Sequence, residues 1–292
     1  MPLRPATTLW PPVLLGSQFV FNIGFYAVVP FLAIFLRDDM LLSGGLIGLI
    51  LGLRTFSQQG MFIVGGALSD RFGAKIVILS GCMIRVAGYL LLALGESLWP
   101  IILGACLTGV GGALFSPSIE ALLAKAGTHS EAKGKRSRAE WFALFAVCGE
   151  LGAVLGPVAG SLLTGLGFRQ VALAGAGVFL VALVVLYFCL PASRHAARTL
   201  KLVPWWTTFR QPRFVAFIIA YSSWLLSYNQ LYLALPVEIQ RSGGNEKDLG
   251  PLFMLASVLI VALQLPLARF ARRVGAVRIL PVGFRSEERR VG

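Results

Sequence analysis

The feature that most constrains this chain is a series of nearly uncharged apolar runs, each about 20 residues long. At 1.5 Å of rise per residue, such a run spans the ~30 Å hydrocarbon core of a bilayer as a helix. The runs are read at residues 13–36, 46–68, 76–94, 99–123, 141–163, 171–190, 214–237 and 249–270. Lipid offers no partner for a backbone N–H or C=O, so each run must satisfy its own and form a helix. No alternating ten-residue barrel pattern occurs, and the expected class is all-α and polytopic. Charged residues supply only 13% of the chain, which excludes water as its main solvent.

A formal charge of +13 would point to nucleic acid in a soluble protein, but here the basic residues sit between apolar runs, and no nucleic-acid partner is expected. Seventeen Lys and Arg residues fall in the connections on one side and four (Arg37, Arg169, Arg241 and Lys247) on the other. By the positive-inside rule the N-terminus is cytoplasmic. The first run is too long for a signal h-region and lacks a cleavage site, so it stays as a helix.

Residues 191–213 form the longest break, with five basic residues, three prolines and the pair Trp205 and Trp206, a composition suited to a linker on anionic headgroups. The expected division is therefore a six-helix bundle at 1–190, a cytoplasmic linker at 191–213 and the start of a second bundle at 214–281. Asp70-Arg71-Phe72-Gly73-Ala74-Lys75 after the second run has an echo in Arg272-Arg273-Val274-Gly275-Ala276 after the eighth, as parallel repeats require. The last residues, 282–292, read like translated cloning sequence, so a truncated reading frame with a non-native tail is expected.

Four groups of residues carry the chemistry. The first is the loop Gly66-Ala67-Leu68-Ser69-Asp70-Arg71-Phe72-Gly73-Ala74-Lys75, in which Gly66 permits close helix approach and Gly73 a tight reversal. Asp70, Arg71 and Lys75 make a charged cluster fit for a conformational latch, and Glu120 is placed to pair with Arg71 or Lys75. The second is Gly152, Gly156 and Gly160 with Pro157, a smooth stripe with an invited bend. The third is the intramembrane charges Arg54, Arg85 and Glu150, each costing at least ~2.5 kcal/mol to insert. Two readings stand for these: salt-bridge scaffolding, or proton coupling by Glu150 with Arg85 or Arg54 as its countercharge. The fourth is Gln18, Asn22 and Tyr26 on the first run with Tyr221, Tyr228 and Tyr232 on the seventh, lining a solute cavity or packing between helices.

The loop resembles the signature of the major facilitator superfamily. With Gly52-Leu53-Arg54, Gln58-Gln59-Gly60 and Arg85-Val86-Ala87-Gly88, the first six helices resemble the multidrug resistance protein MdtH group within it. The resemblance implies two six-helix halves around a central cavity, of which this chain carries the first half and about two helices of the second. Gly156-Pro157 is similar to the superfamily's antiporter motif, which implies export of small amphiphilic solutes or drugs in exchange for protons from the bacterial inner membrane, by a monomer. Proton-coupled uptake on the same fold is the alternative. Two departures are Ala74, where many members carry Arg, and the lack of an Arg between Leu103 and Gly112. A membrane-embedded enzyme is not expected: His129 and His195 both lie in basic loops, outside any H-x-x-x-x-D or H-E-x-x-H pattern. Cys82, Cys106, Cys148 and Cys189 stand alone in apolar runs, so no metal or cofactor is expected.

Overall fold

The computed structural model describes residues 10–190, 210–222, 238, 241–243 and 249–275. Its elements are α1 (Trp10–Tyr26), α2 (Val29–Asp38), α3 (Gly44–Gln59), α4 (Phe62–Phe72), α5 (Ala74–Leu94), α6 (Leu98–Ala132), α7 (Arg138–Thr164) and α8 (Phe168–Cys189). They are followed by α9 (Pro212–Ser222) and α10 (Leu249–Val274). Among the described residues seven helical stretches are long and apolar enough to cross a membrane, and this is a multi-pass membrane protein. The predicted run at 214–237 falls mostly outside the described residues, which include its first part in α9.

Two predicted helices are each built from two pieces. α1 and α2 make one span and are interrupted just before Pro30, whose ring has no N–H to continue the ladder. α3 and α4 make the second span and break at Gly60 and Met61. α6 runs nine residues beyond its predicted end at Leu123, because Ala124–Ala132 is polar enough to leave lipid yet contains no strong helix breaker besides Gly127.

The chain divides into two compact units, one of residues 1–194 with 259–292 and one of residues 195–258. In the first, α5 packs on α6 and α8, α1 on α7 and α8, and both α3 and α4 on α6. Small residues set the close crossing of α5 on α6. A Cβ on Gly88 would stand 2.9 Å from the Gly104 carbonyl oxygen and one on Gly104 2.8 Å from that of Gly88; Gly81 and Gly111 face each other in the same reciprocal way. Apolar side chains gain little by leaving lipid for protein, so van der Waals contact at such bare crossings is what joins the helices. The core is aromatic at its centre: Phe21 stacks on Phe115 at 4.0 Å between ring centroids, and Phe179 meets Phe21 edge-on at 5.2 Å. Ile34, Leu49, Phe56, Ile63, Leu103 and Leu180 point outward and exposed, a liability in water and the expected surface toward acyl chains. In the second unit, α9 carries a stacked Phe217–Tyr221 pair at 5.9 Å.

Candidate functional site

The buried face of α5 repeats every three or four residues, through Ile78, Cys82, Arg85, Tyr89 and Leu92, and this period carries Arg85 into the middle of the bundle. Arg85 is 0% exposed. Its Nε donates to the Thr108 carbonyl at 3.1 Å, while Nη1 and Nη2 are buried with no hydrogen-bond partner. The guanidinium lies over Phe21 at 3.8 Å, with Phe179 at 4.9 Å and Phe25 at 5.4 Å. Arg54, on α3, is 6% exposed; its Nη2 donates to Gln58 Oε1 at 2.7 Å, its Nε is unpartnered, and its guanidinium lies 4.4 Å from the Phe25 centroid.

Ring faces stand here where carboxylates were expected. Among the described residues the ion pairs are Arg37–Asp38, Arg241–Glu238, Arg269–Glu140 and Arg272–Glu140, none of which joins Arg54 or Arg85 to Glu120 or Glu150. Desolvated cation–π contacts are worth about 2 kcal/mol each, comparable to the ~2.5–3.5 kcal/mol cost of a central Arg. The rings therefore offset most of the charge penalty, but they supply no acceptor for the free N–H groups.

The glycine stripe of α7 lies directly on α1. A Cβ on Gly152 would stand 2.6 Å from the Phe19 carbonyl oxygen and 2.7 Å from Asn22 Cβ; one on Gly156, 2.7 Å from Tyr26 Cβ; and one on Gly160 would meet the Ala27 carbonyl oxygen and the Phe31 ring. Gly149 extends the stripe by one turn, toward Gln18. Gln18, Asn22 and Tyr26, all half-buried, therefore border the α1–α7 seam, where Asn22 Nδ2 donates to the Gln18 carbonyl at 2.9 Å. α7 passes through Pro157 without a break, and Glu150 is half-buried on it. Tyr221 lies exposed in the second unit, and Tyr228 and Tyr232 lie outside the described residues.

At the loop between α4 and α5, Gly73 has φ +89°, a conformation that a side chain would strain, so it makes the reversal. Gly66 does not make the close helix approach expected of it. No heavy atom would lie within 4 Å of a Cβ there, and it is Gly65 that abuts the Ala113 carbonyl of α6. One residue of helical phase, about 100°, separates the two. Lys75 Nζ donates to the carbonyls of Tyr187 and Leu190, both at 2.6 Å, and so caps the last turn of α8. Asp70, Arg71 and Glu120 are exposed, and Glu120 is in none of the ion pairs.

Glu140 stands outside the four groups of candidate residues. Ser137 and Glu140 form a reciprocal capping box at the start of α7, with Ser137 N donating to Glu140 Oε2 at 2.9 Å and Glu140 N to Ser137 Oγ at 3.2 Å. The same carboxylate meets Arg269 Nε at 3.2 Å and Arg272 Nη1 at 3.8 Å, both on the last turns of α10. The S-x-x-E spelling is the signal that was available, and Arg272 opens the echo of the first loop. Glu140→Gln keeps the cap and removes the charge. Both arginines are more than half exposed, so a double-mutant cycle of Glu140→Gln with Arg272→Gln on thermal unfolding should return a coupling of about 0.5 kcal/mol. Strict additivity would reduce the contact to coincidence.

Crossings of bare glycines, a loop with a positive-φ glycine between the second and third spans, and an exposed apolar surface define a polytopic membrane helix bundle. Residues 14–284 match the sequence profile of the Major Facilitator Superfamily, and the chain belongs to that family. It is 38% identical over 277 residues to an uncharacterized MFS-type transporter of Mycobacterium tuberculosis strain H37Rv, covering 93% of this chain and 64% of that protein. It is 31% identical over 252 residues to multidrug resistance protein MdtH of Aeromonas hydrophila, covering 86% of this chain and 62% of the relative. Against MdtH of Yersinia pestis it is 31% identical over 269 residues, with 92% and 66% covered. The chain thus spans just under two thirds of the length of these relatives. The crystal structure of a mutant peptide transporter POT in complex with sulfate has the same fold, with a TM-score of 0.55 at 19% identity over 85% of this chain and 49% of that one.

Proposed function

We propose that this chain belongs to a secondary active exporter of small amphiphilic solutes or drugs, driven by proton antiport across the bacterial inner membrane. The observation that carries the reading is the similarity to two proteins named multidrug resistance protein MdtH over most of the chain. The α7 stripe adds to it: Gly152, Gly156 and Gly160 hold α7 against the polar face of α1, so a small rotation at this seam moves Gln18, Asn22 and Tyr26 together. Residues 1–190 form the first half of the carrier, 191–213 a cytoplasmic linker on anionic headgroups, and 214–281 the start of the second half; the carrier works as a monomer. Glu140 with Arg269 and Arg272 holds one end of the bundle shut between cycles, and Asp70 and Arg71 serve the same end. The test is transport in everted vesicles: solute uptake that stops when a nigericin-type exchanger collapses the pH gradient supports antiport, and uptake indifferent to the gradient rejects it.

The charge asymmetry of the connections supports a cytoplasmic N-terminus. Cysteine placed at His129, an exposed residue near the end of α6, should resist an impermeant thiol reagent in intact cells and react in everted vesicles. The reverse pattern of labelling overturns this orientation.

A further inference from the structure

We propose that Arg54, Gln58 and Arg85 form a receptor for an anionic group, so that the solute carries a carboxylate, sulfonate or phosphonate. The three side chains come from α3 and α5 and converge against the bare backbone of α6. A Cβ at Gly112 would stand 2.6 Å from Arg85 Nη2 and 3.1 Å from Gln58 Cδ, so the glycine is what lets the arginine and the glutamine occupy the same place. Arg54 Nη2 already donates to the side-chain oxygen Gln58 Oε1 at 2.7 Å. Arg85 Nη1, Arg85 Nη2 and Arg54 Nε remain as buried donors without acceptors.

Guanidinium does not shed its proton in a protein, so both charges are permanent. Among the described residues no carboxylate forms an ion pair with Arg85 or Arg54. Two fixed cations with spare, planar N–H groups match the two-oxygen edge of an oxyanion, which accepts parallel hydrogen bonds from such a fork. Phe21, Phe25 and Phe179 around them give the apolar wall that an amphiphilic anion needs next to its charge. A cationic amphiphile has the opposite fit, since it would add a third positive charge to a desolvated site.

Depth separates a solute from a lipid. Arg54 stands ten residues into the 29-residue span that starts at Gly44, about 15 Å of helix from one end and about 27 Å from the other. Headgroup phosphates lie at the two ends of that span. Gln58 is half-buried, whereas Arg54 and Arg85 are almost fully enclosed, so the ligand approaches past Gln58 and meets Arg54 before Arg85.

The inference rests on the carrier reading only for the word solute, and a binding measurement tests it without any gradient. The purified chain in dodecyl maltoside is titrated calorimetrically with naphthoate, neutral naphthamide and cationic naphthylmethylammonium. Naphthoate is expected to bind at least about tenfold tighter than naphthamide, which corresponds to ~1.4 kcal/mol, and the ammonium weakest. In Arg54→Gln and Arg85→Gln that preference should shrink to within about twofold, while Arg54→Lys, which keeps the charge but not the fork, retains part of it. Equal binding of all three probes overturns the proposal, as does a preference for naphthoate that survives both Gln variants. Should either Gln variant fail to fold, the melting temperature of the unmodified chain decides: naphthoate must raise it, and a rise equal to that given by naphthamide counts against the receptor. Loss of the naphthoate preference on adding phosphatidylglycerol to the micelles would assign the site to lipid and overturn the solute. A chain that binds naphthoate selectively yet shows gradient-independent transport removes the antiport reading alone; one that exports with no anion preference removes only this inference.

Discussion

Substituting leucine for Gly152 should eliminate most of the folded protein from the membrane. The first atom of the new side chain would stand 2.6 Å from the Phe19 carbonyl oxygen and 2.7 Å from Asn22 Cβ, and backbone cannot swing aside as a side-chain tip does. Overpacking a tight core costs about 1–3 kcal/mol for small additions, and leucine brings four carbons into a contact that already lacks room for one. The loss is therefore a large fraction of the ~5–15 kcal/mol that keeps many domains folded. Gly66→Leu is the matched control, since a Cβ there meets nothing within 4 Å. Fluorescence-detected size exclusion of tagged protein should show a monodisperse peak for the control and aggregate for Gly152→Leu. A monodisperse Gly152→Leu protein would mean that α1 and α7 are not held this close.

The second large effect is expected at Glu150. It lies on α7, twelve residues past the start of that helix, which at 1.5 Å per residue is about 18 Å along it and well inside the membrane. A charge at such a depth is costly to insert, and we propose that this carboxylate carries the coupled proton. Helix α7 packs on α1, whereas Arg85 is enclosed by rings of α1 and α8, so α1 supplies Arg85's aromatic cover on one side and α7's glycine contact on the other. Under that proposal Glu150 acts through α1 and not by direct pairing with Arg85, whose Nη1 and Nη2 have no hydrogen-bond partner. Glu150→Gln keeps the shape and cannot titrate. Efflux driven by a pH gradient should fall by at least about tenfold while solute binding and expression persist, a loss of ~1.4 kcal/mol or more of driving interaction. Gradient-driven pumping at an unchanged rate would place the coupling elsewhere.

Much of the fold was legible because the bilayer reduces it to one variable. Apolar length identified the spans, and the loop from Gly66 to Lys75 marked the reversal that Gly73 makes. Apolarity measures residence in lipid and not helicity, so it ended α6 at Leu123 while the helix continues to Ala132. It also passed over the interruptions at Ala27 and Gly60, each of which falls inside a stretch read as one continuous span. Rotational phase was the other gap: a stripe of small residues says that a helix is approached closely, and only the partner says from which side, hence Gly65 in place of Gly66 and the unread Gly81–Gly111 and Gly88–Gly104 crossings. The ring cover of Arg85 comes from residues 64 and 94 positions away, at Phe21 and Phe179, and no local spacing encodes it. Glu140 differs, since its capping box was spelled within four letters.

The length of α6 has a mechanical consequence. Its 35 residues make a rod of about 50 Å, of which only about 30 Å fits in hydrocarbon. Helices are stiff over this distance and bend sharply only at defects, and α6 is continuous through Pro117. Such a rod is a lever with its fulcrum among the glycines that cross α5. From the middle of the membrane to Ala132 the arm is about 33 Å, so a rocking of about 10° sweeps its tip through about 6 Å. The connection that follows, Lys133 to Ser137, is hung on that tip and leads straight into the first turn of α7, where Ser137 and Glu140 anchor the next helix. A slight change of tilt deep in the bundle thus arrives at the water-facing end amplified to the width of a side chain, at the point where Arg269 and Arg272 grip Glu140.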